Sequence, residues 1–299
     1  MLKYLIEDYN NYDYILHNGQ YRVTLFVFEK NNYYPQYLLK IYSQENAGNL
    51  KQLQGLLQKI NLYSLAILKD SVPKLLNLQE FGKSCVIKEE YVQGILLARY
   101  AEGRGLVWEK DFFLNLSLIA EWLVALHKNF TVGEISFSKD KVALLLKDTQ
   151  QFLDTGFLNL KDGLITIPTV ISHGDLMPMN VIRVKNKISV LDWDKMKTEG
   201  LPLWDLLTFI LHYLHSRYRF QIEGVYLKPE VFLKYFSLIY QKDNAISRFV
   251  KERVGYYCSS LKLNDSQRDL LILLWIYDML YLCGGKTNNP VSLPRLLKL

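Results

Sequence analysis

Residues 170–194 read VISHGDLMPMNVIRVKNKISVLDWD, and this stretch decides the fold. It sets His173-Gly174-Asp175 five residues ahead of Asn180, crosses a short hairpin, and ends on Asp192-Trp193-Asp194. Val170 and Ile171 are β-branched and apolar, and predict the end of a buried strand. Pro178 has no amide proton to give a ladder, so Asp175 to Met179 predicts a loop. Val181-Ile-Arg-Val and Ile188-Ser-Val-Leu predict two strands joined by the polar turn Lys185-Asn186-Lys187. A hairpin of that length returns Asp192 towards Asn180, so two oxygen donors converge, as a hard cation such as Mg²⁺ requires. Asp175 is left on the loop to face a hydroxyl. This is the layout of a phosphoryl-transfer site: one carboxylate orients the attacking hydroxyl while an amide oxygen and a second carboxylate hold the metal.

The pattern resembles the aminoglycoside phosphotransferase and choline kinase-like family, the small-molecule branch of the protein-kinase-like fold. His173-Gly174-Asp175, Asn180 and Asp192-Trp193-Asp194 match its His-Gly-Asp loop, its Asn and its Asp-Trp-Asp/Glu segment position for position. Gly200-Leu-Pro-Leu-Trp-Asp205-Leu206 resembles the segment that opens the next helix, where the Asp is structural. The resemblance implies Asp175 as catalytic carboxylate, Asn180 and Asp192 as metal ligands, and ATP with Mg²⁺ as cofactors. Asp194 would support a second metal or position a water. Gly174 stands where protein kinases carry Arg, so control by activation-loop phosphorylation is not expected.

An ATP-binding half is expected upstream. Tyr37-Leu-Leu-Lys40-Ile-Tyr is a strand pattern with one embedded lysine, like the strand whose Lys contacts nucleotide phosphates. Burying that lysine requires an anionic partner; on an edge strand it would face solvent instead. Residues 15–28 predict a hairpin turning at Asn18-Gly19. Cys85-Val-Ile-Lys-Glu-Glu90-Tyr-Val92-Gln-Gly94 resembles the family's strand and inter-lobe linker, in which the backbone of Glu90 and Val92 would bind the adenine edge. Leu118 to His127 matches the family's helix ending in Leu-His, with His127 a packing residue. Two departures stand out. The helix after Lys40 (Leu50, Leu53, Leu56, Leu57, Ile60) offers Gln52 or Gln54 where the lysine-pairing Glu is expected, and Glu89 replaces the apolar residue that backs the adenine pocket.

With 299 residues, about half of them apolar, the chain can bury two cores. The amino-terminal MLKYLIEDYN has neither a signal nor a transit pattern, and the longest apolar stretches fall short of the ~20 residues of a membrane span, so a cytoplasmic enzyme is expected. Three scattered cysteines suggest neither a disulfide framework nor a zinc site. Residues 201–299 predict helices over Leu206–Leu214, Val231–Tyr240 and Leu270–Leu282, with breaks at Gly224, Pro229 and Gly284-Gly285. They carry seven Lys and six Arg against eight Asp and Glu, a net of +5 out of the chain's +6. A polycationic aminoglycoside would want an acidic pocket, so a neutral or anionic hydroxyl compound is favoured. Trp204, Tyr213, Tyr218, Phe220, Tyr256, Tyr257 and Trp275 are candidates for stacking on a sugar face, although core packing accounts for most of them. No arginine clustering of the nucleic-acid kind is present.

The expected architecture is α+β and bilobal. Residues 1–93 form an antiparallel sheet lobe with one helix, and residues 94–299 form a larger helical lobe with the catalytic loop. The expected activity is phosphorylation of a small-molecule hydroxyl. Two other classes fit parts of the pattern. One is a nucleotide-binding pseudokinase, suggested by the missing helix glutamate. The other is a metal-dependent oxygenase, since His173-Gly-Asp175 has the form of a facial-triad site that His212 or His215 would complete within a jelly-roll.

Overall fold

The computed structural model describes residues 11–18, 22–43, 45, 47–101, 105–150, 152, 154–156, 158, 160, 163–218 and 229–284. Gly19, Phe220, Gly224 and Gly285 lie outside these residues, as does the side chain of Tyr218. The chain forms two compact units, one of residues 1–95 and 181–194, the other of 96–180 and 195–299. The architecture is α+β and bilobal, with a sheet in the first unit and mainly helices in the second.

The first unit is built on a five-stranded antiparallel sheet in the order β1-β2-β3-β5-β4. Its strands are β1 (Tyr12–Asn18), β2 (Val23–Glu29), β3 (Tyr37–Ser43), β4 (Leu75–Phe81) and β5 (Ser84–Glu90). Alternation along each strand sorts the side chains onto two faces. Leu25, Val27, Tyr37, Leu39 and Val86 share one face and form a core. The register pairs Thr24 with Lys40 and Lys40 with Ile87. Thr24, Lys40, Tyr42, Ile87 and Glu89 therefore share the opposite face. The helix after β3, α1 (Ala47–Asn61), buries Leu50, Leu53, Leu56, Leu57 and Ile60 at the predicted spacing.

The strands β9 (Val181–Val184) and β10 (Lys187–Val190) also belong to this unit. The turn between them is Lys185-Asn186 alone, one residue shorter than the sequence suggests. Lys185 adopts φ +56°, as a two-residue hairpin turn requires, and Lys187 joins the strand. Val190 donates its amide to the carbonyl of Ser71 at 2.7 Å. Gly94 precedes the two-residue strand β6 (Ile95–Leu96). A Cβ at Gly94 would lie 2.3 Å from Ile182, so no side chain fits there.

The second unit has α2 (Leu97–Ala101) and the long α3 (Gly105–Asn129) as its spine. In α3 Trp108, Phe112, Leu116, Ile119, Trp122, Leu123 and Leu126 are fully buried. A helix apolar on so many sides is an interior helix. A small antiparallel sheet joins β7 (Thr131–Phe137), β8 (Ile165–Ser172) and β11 (Lys197–Gly200), with α4 (Lys139–Gln150) between β7 and β8. Four helices follow: α5 (Trp204–Tyr218), α6 (Pro229–Tyr240), α7 (Ala245–Ser260) and α8 (Asp265–Gly284). Tyr213, Tyr257 and Trp275 are buried in this core, which removes them as sugar-stacking candidates; Tyr256 is exposed. No helix among the described residues is long and apolar enough to cross a membrane.

Candidate active site

Within the second unit, β8 ends at Ser172 and the chain turns through His173-Gly174-Asp175. Gly174 adopts φ +77°, and a Cβ there would fall 2.2 Å from the carbonyl oxygen of Lys195, so the position demands glycine. Asp205, in the first turn of α5 and almost fully buried, holds the loop from behind. Its two oxygens accept the amides of His173 (2.7 Å) and Gly174 (3.1 Å). The Asp175 amide donates to Nδ1 of His173 at 3.2 Å. The backbone of the loop is thereby set, and the Asp175 carboxylate remains about a quarter exposed. Lys195 ends the 3₁₀ turn after Asp192 and places Nζ 3.0 Å from Oδ2 of Asp175. Asn180 donates Nδ2 to the carbonyl of Asp175 at 2.8 Å, a bond that does not use its amide oxygen. Asp175 and Asn180 are thus brought together; Lys195 and the clamping role of Asp205 complete the group.

A second layer supports this loop. The Tyr257 hydroxyl on α7 accepts the amide of Leu203 (2.9 Å) and is hydrogen-bonded to Nδ1 of His127 on α3. Leu203, at φ +68°, lies two residues before Asp205. His127 is therefore the packing histidine expected of it, and burial pushes its pKa down to about 4. The folded value lies below the ordinary value near 6.5, so the unfolded chain takes up the proton first. His127 thus contributes stability that is full above pH ~6.5 and is lost as pH falls towards 4, on the order of 3 kcal/mol. Melting temperatures measured from pH 7.5 to 4.5 will fall less steeply in His127→Gln than in the wild type. Parallel curves would assign that acid sensitivity to other groups.

Within the first unit, a second cluster of charged side chains lies on one face of the sheet. Lys40 lies on central strand β3 and is buried, which excludes the solvent-facing edge position. Its Nζ is 2.9 Å from Oε2 of Glu89 and 3.8 Å from Oδ1 of Asp192. The lysine-pairing carboxylate therefore comes from β5, where the sequence suggested Gln52 or Gln54 on α1. Lys40 faces Ile87, and Glu89 is the next residue on that face, within diagonal reach across the strand pair. Asp192 adopts φ +61° after β10 and shares Oδ1 with Arg22. Asp194 accepts from the Tyr42 hydroxyl at 2.7 Å on Oδ1 and from Arg22 on Oδ2. Burial raises the pKa of the Tyr42 phenol well above its ordinary value, so it serves as a donor. Trp193, between the two carboxylates, is buried and ties its Nε1 to the carbonyl of Val190 at 2.9 Å. Glu90 ends β5 with its amide bonded to the carbonyl of Lys74 at 2.9 Å, and Val92 follows in the irregular segment before Gly94.

The oxygenase alternative loses its scaffold, because the fold is not a jelly-roll. His212 and His215 lie on α5, and among the described residues no group of three His, Cys, Asp or Glu is placed to hold a metal.

No family profile matches the sequence, and no curated protein matches it. Among solved structures, the aminoglycoside phosphotransferase APH(3'')-Id of Streptomyces rimosus, in complex with ADP and streptomycin, superposes with TM-score 0.50 at 12% identity. The match covers 93% of this chain and 96% of that one. The same enzyme in a structure described without those ligands gives 0.46 at 12% identity, covering 90% and 92%. An aminoglycoside-3'-phosphotransferase of type VIII gives 0.42 at 14% identity, covering 84% and 97%. From the first sheet to the last described helix, the chain has the protein-kinase-like fold in the form taken by an aminoglycoside phosphotransferase.

Proposed function

We propose that the chain is an ATP- and Mg²⁺-dependent phosphotransferase that acts on a hydroxyl of a small molecule in the cytoplasm. What carries this is the catalytic loop: Asp205 fixes its backbone, Asp175 keeps a part-exposed carboxylate, and Asn180 is tied to the Asp175 carbonyl through Nδ2, a bond that does not use its amide oxygen. That combination supports chemistry better than it supports packing alone. The donor set also fits a hard, oxygen-seeking cation, since Asp192 and Asp194 already attract two protein cations.

In this mechanism Asp175 accepts a hydrogen bond from the acceptor hydroxyl, aims its oxygen at the terminal phosphorus, and takes the proton late. Lys40, held by Glu89, contacts the nucleotide phosphates, and the backbone of Glu90 and Val92 receives the adenine edge. Asn180 and Asp192 are the residues that would hold Mg²⁺; when bound, the metal neutralises charge on the phosphates. Lys195 keeps Asp175 oriented and adds positive charge where negative charge builds up. Most of the rate enhancement comes from in-line positioning and this charge neutralisation.

For the acceptor, the net +5 of residues 201–299 favours a neutral or anionic sugar or metabolite over a polycationic aminoglycoside such as the ligand of the Streptomyces enzyme. A nucleotide-binding pseudokinase is the second reading, favoured by the departure of the lysine's partner from its usual helix. Calorimetric titration with ADP tests the nucleotide site that both readings require. Binding strengthened by Mg²⁺ is expected; no binding with or without Mg²⁺ would remove both readings.

A further inference from the structure

We infer that Arg22 is a displaceable counter-cation of the nucleotide site. It holds Asp192 and Asp194, yields them to the divalent cation, and transfers its guanidinium to the nucleotide phosphates. The inference rests on the phosphotransferase reading above. Arg22 immediately precedes β2, two residues before Thr24, and Thr24 is paired with Lys40. Arg22 is thus on the same face as Lys40, one strand over, and its Nε is 3.3 Å from the Thr24 hydroxyl. Its Nη1 bridges Oδ1 of Asp192, at 2.5 Å, and Oδ2 of Asp194.

The two cations on this face differ in how firmly they are held. Lys40 has a side chain 6% exposed and a dedicated partner in Glu89 at 2.9 Å. Arg22 is 21% exposed and is held by the two carboxylates of the Asp-Trp-Asp segment. A magnesium ion needs carboxylate oxygen at roughly 2.0–2.1 Å. On the Asp192 oxygen that Arg22 contacts, that distance would set a dication against a guanidinium, and like charges so close in a part-buried site repel strongly. Arg22 is the cation that can give way. Once released it remains anchored at the start of β2, and phosphate oxygens match its planar fork of donors. Five charged groups face one another here: Arg22, Lys40, Glu89, Asp192 and Asp194 carry a net charge of −1. An incoming metal with its phosphates can enter by exchanging partners, and no charge is left buried alone.

The test uses the full chain and two readouts with opposite expected signs. Arg22→Gln should bind Mn²⁺ alone about tenfold more tightly, followed by electron paramagnetic resonance, because a competitor is gone. The same variant should bind ADP in the presence of chelator about tenfold more weakly, because a phosphate contact is gone. Arg22→Lys, which keeps the charge, should hold metal-free ADP within a few-fold of wild type. Unchanged affinities in Arg22→Gln, or both falling together as a local packing defect would make them, would overturn the inference. A wild type that binds no nucleotide would instead remove the phosphotransferase reading, and this inference with it.

Discussion

Replacing Asp175 by Asn is expected to lower ATP turnover by on the order of 10³-fold or more while leaving nucleotide affinity within a few-fold. The asymmetry follows from where the carboxylate lies. Asp175 is on the second unit's loop, fixed through its backbone by His173 and through its neighbours by Asp205, and none of these hydrogen bonds uses its carboxylate. Asparagine keeps the shape of the side chain and removes the proton acceptor. The ion pair it breaks, to a Lys195 side chain more than half exposed, is of the solvent-screened kind, so the melting temperature should barely move. Equal turnover in the variant would remove Asp175 from the chemistry. A large fall in stability would show that the pair with Lys195 is structural.

The second large effect concerns the buried pair of Lys40 and Glu89. Glu89→Leu leaves an ammonium group inside the sheet lobe with Asp192, at 3.8 Å, as its remaining opposite charge among the described residues. Breaking a buried pair in this way costs about 3 kcal/mol, towards the low end for such pairs because Asp192 remains. Nucleotide affinity should fall with it, since an untethered lysine no longer presents its charge in one place. The double variant Lys40→Met with Glu89→Leu replaces both charges with apolar groups of similar length and should regain most of the lost stability, yet none of the nucleotide affinity. Melting curves and ADP titrations on the wild type, the two single variants and the double variant form the cycle. A Glu89→Leu protein as stable as wild type, or a double variant that binds nucleotide normally, would contradict this role for the pair.

What the sequence made legible was local. The strand into His173-Gly174-Asp175, the β9–β10 hairpin and the leucine stripe of α1 each follow from residue spacing over a few turns, whereas of the spine helix α3 only Leu118 to His127 is legible, and that through a resemblance. Glu89 stands out in the sequence as misplaced, but its partner does not, because the pairing depends on the register of β3 against β5. That register brings Lys40 and Glu89 to adjacent places on one face from distant parts of the chain. A signal was present: an acid in the apolar run after Cys85 and a lysine in an apolar strand are two charges that can be buried only together. Arg22 and Lys195 were missed for a related reason. Each flanks a recognisable pattern, and only the folded chain turns it towards a carboxylate. The helix α7 is also hard to read from the sequence. Its buried positions Val250, Val254, Tyr257 and Cys258 make a narrow stripe, although Asn244 caps it by accepting the amide of Ser247.

The proposal as a whole turns on transfer of a phosphoryl group to an acceptor. Wild-type and Asp175→Asn protein should be incubated with γ-labelled ATP, Mg²⁺ and a fractionated extract of small molecules, and new labelled species resolved by chromatography and mass spectrometry. A labelled metabolite formed by the wild type and not by the variant is the expected result, and it names the acceptor. No transfer of label by a wild type that binds ATP would contradict the phosphotransferase and leave a nucleotide-binding pseudokinase.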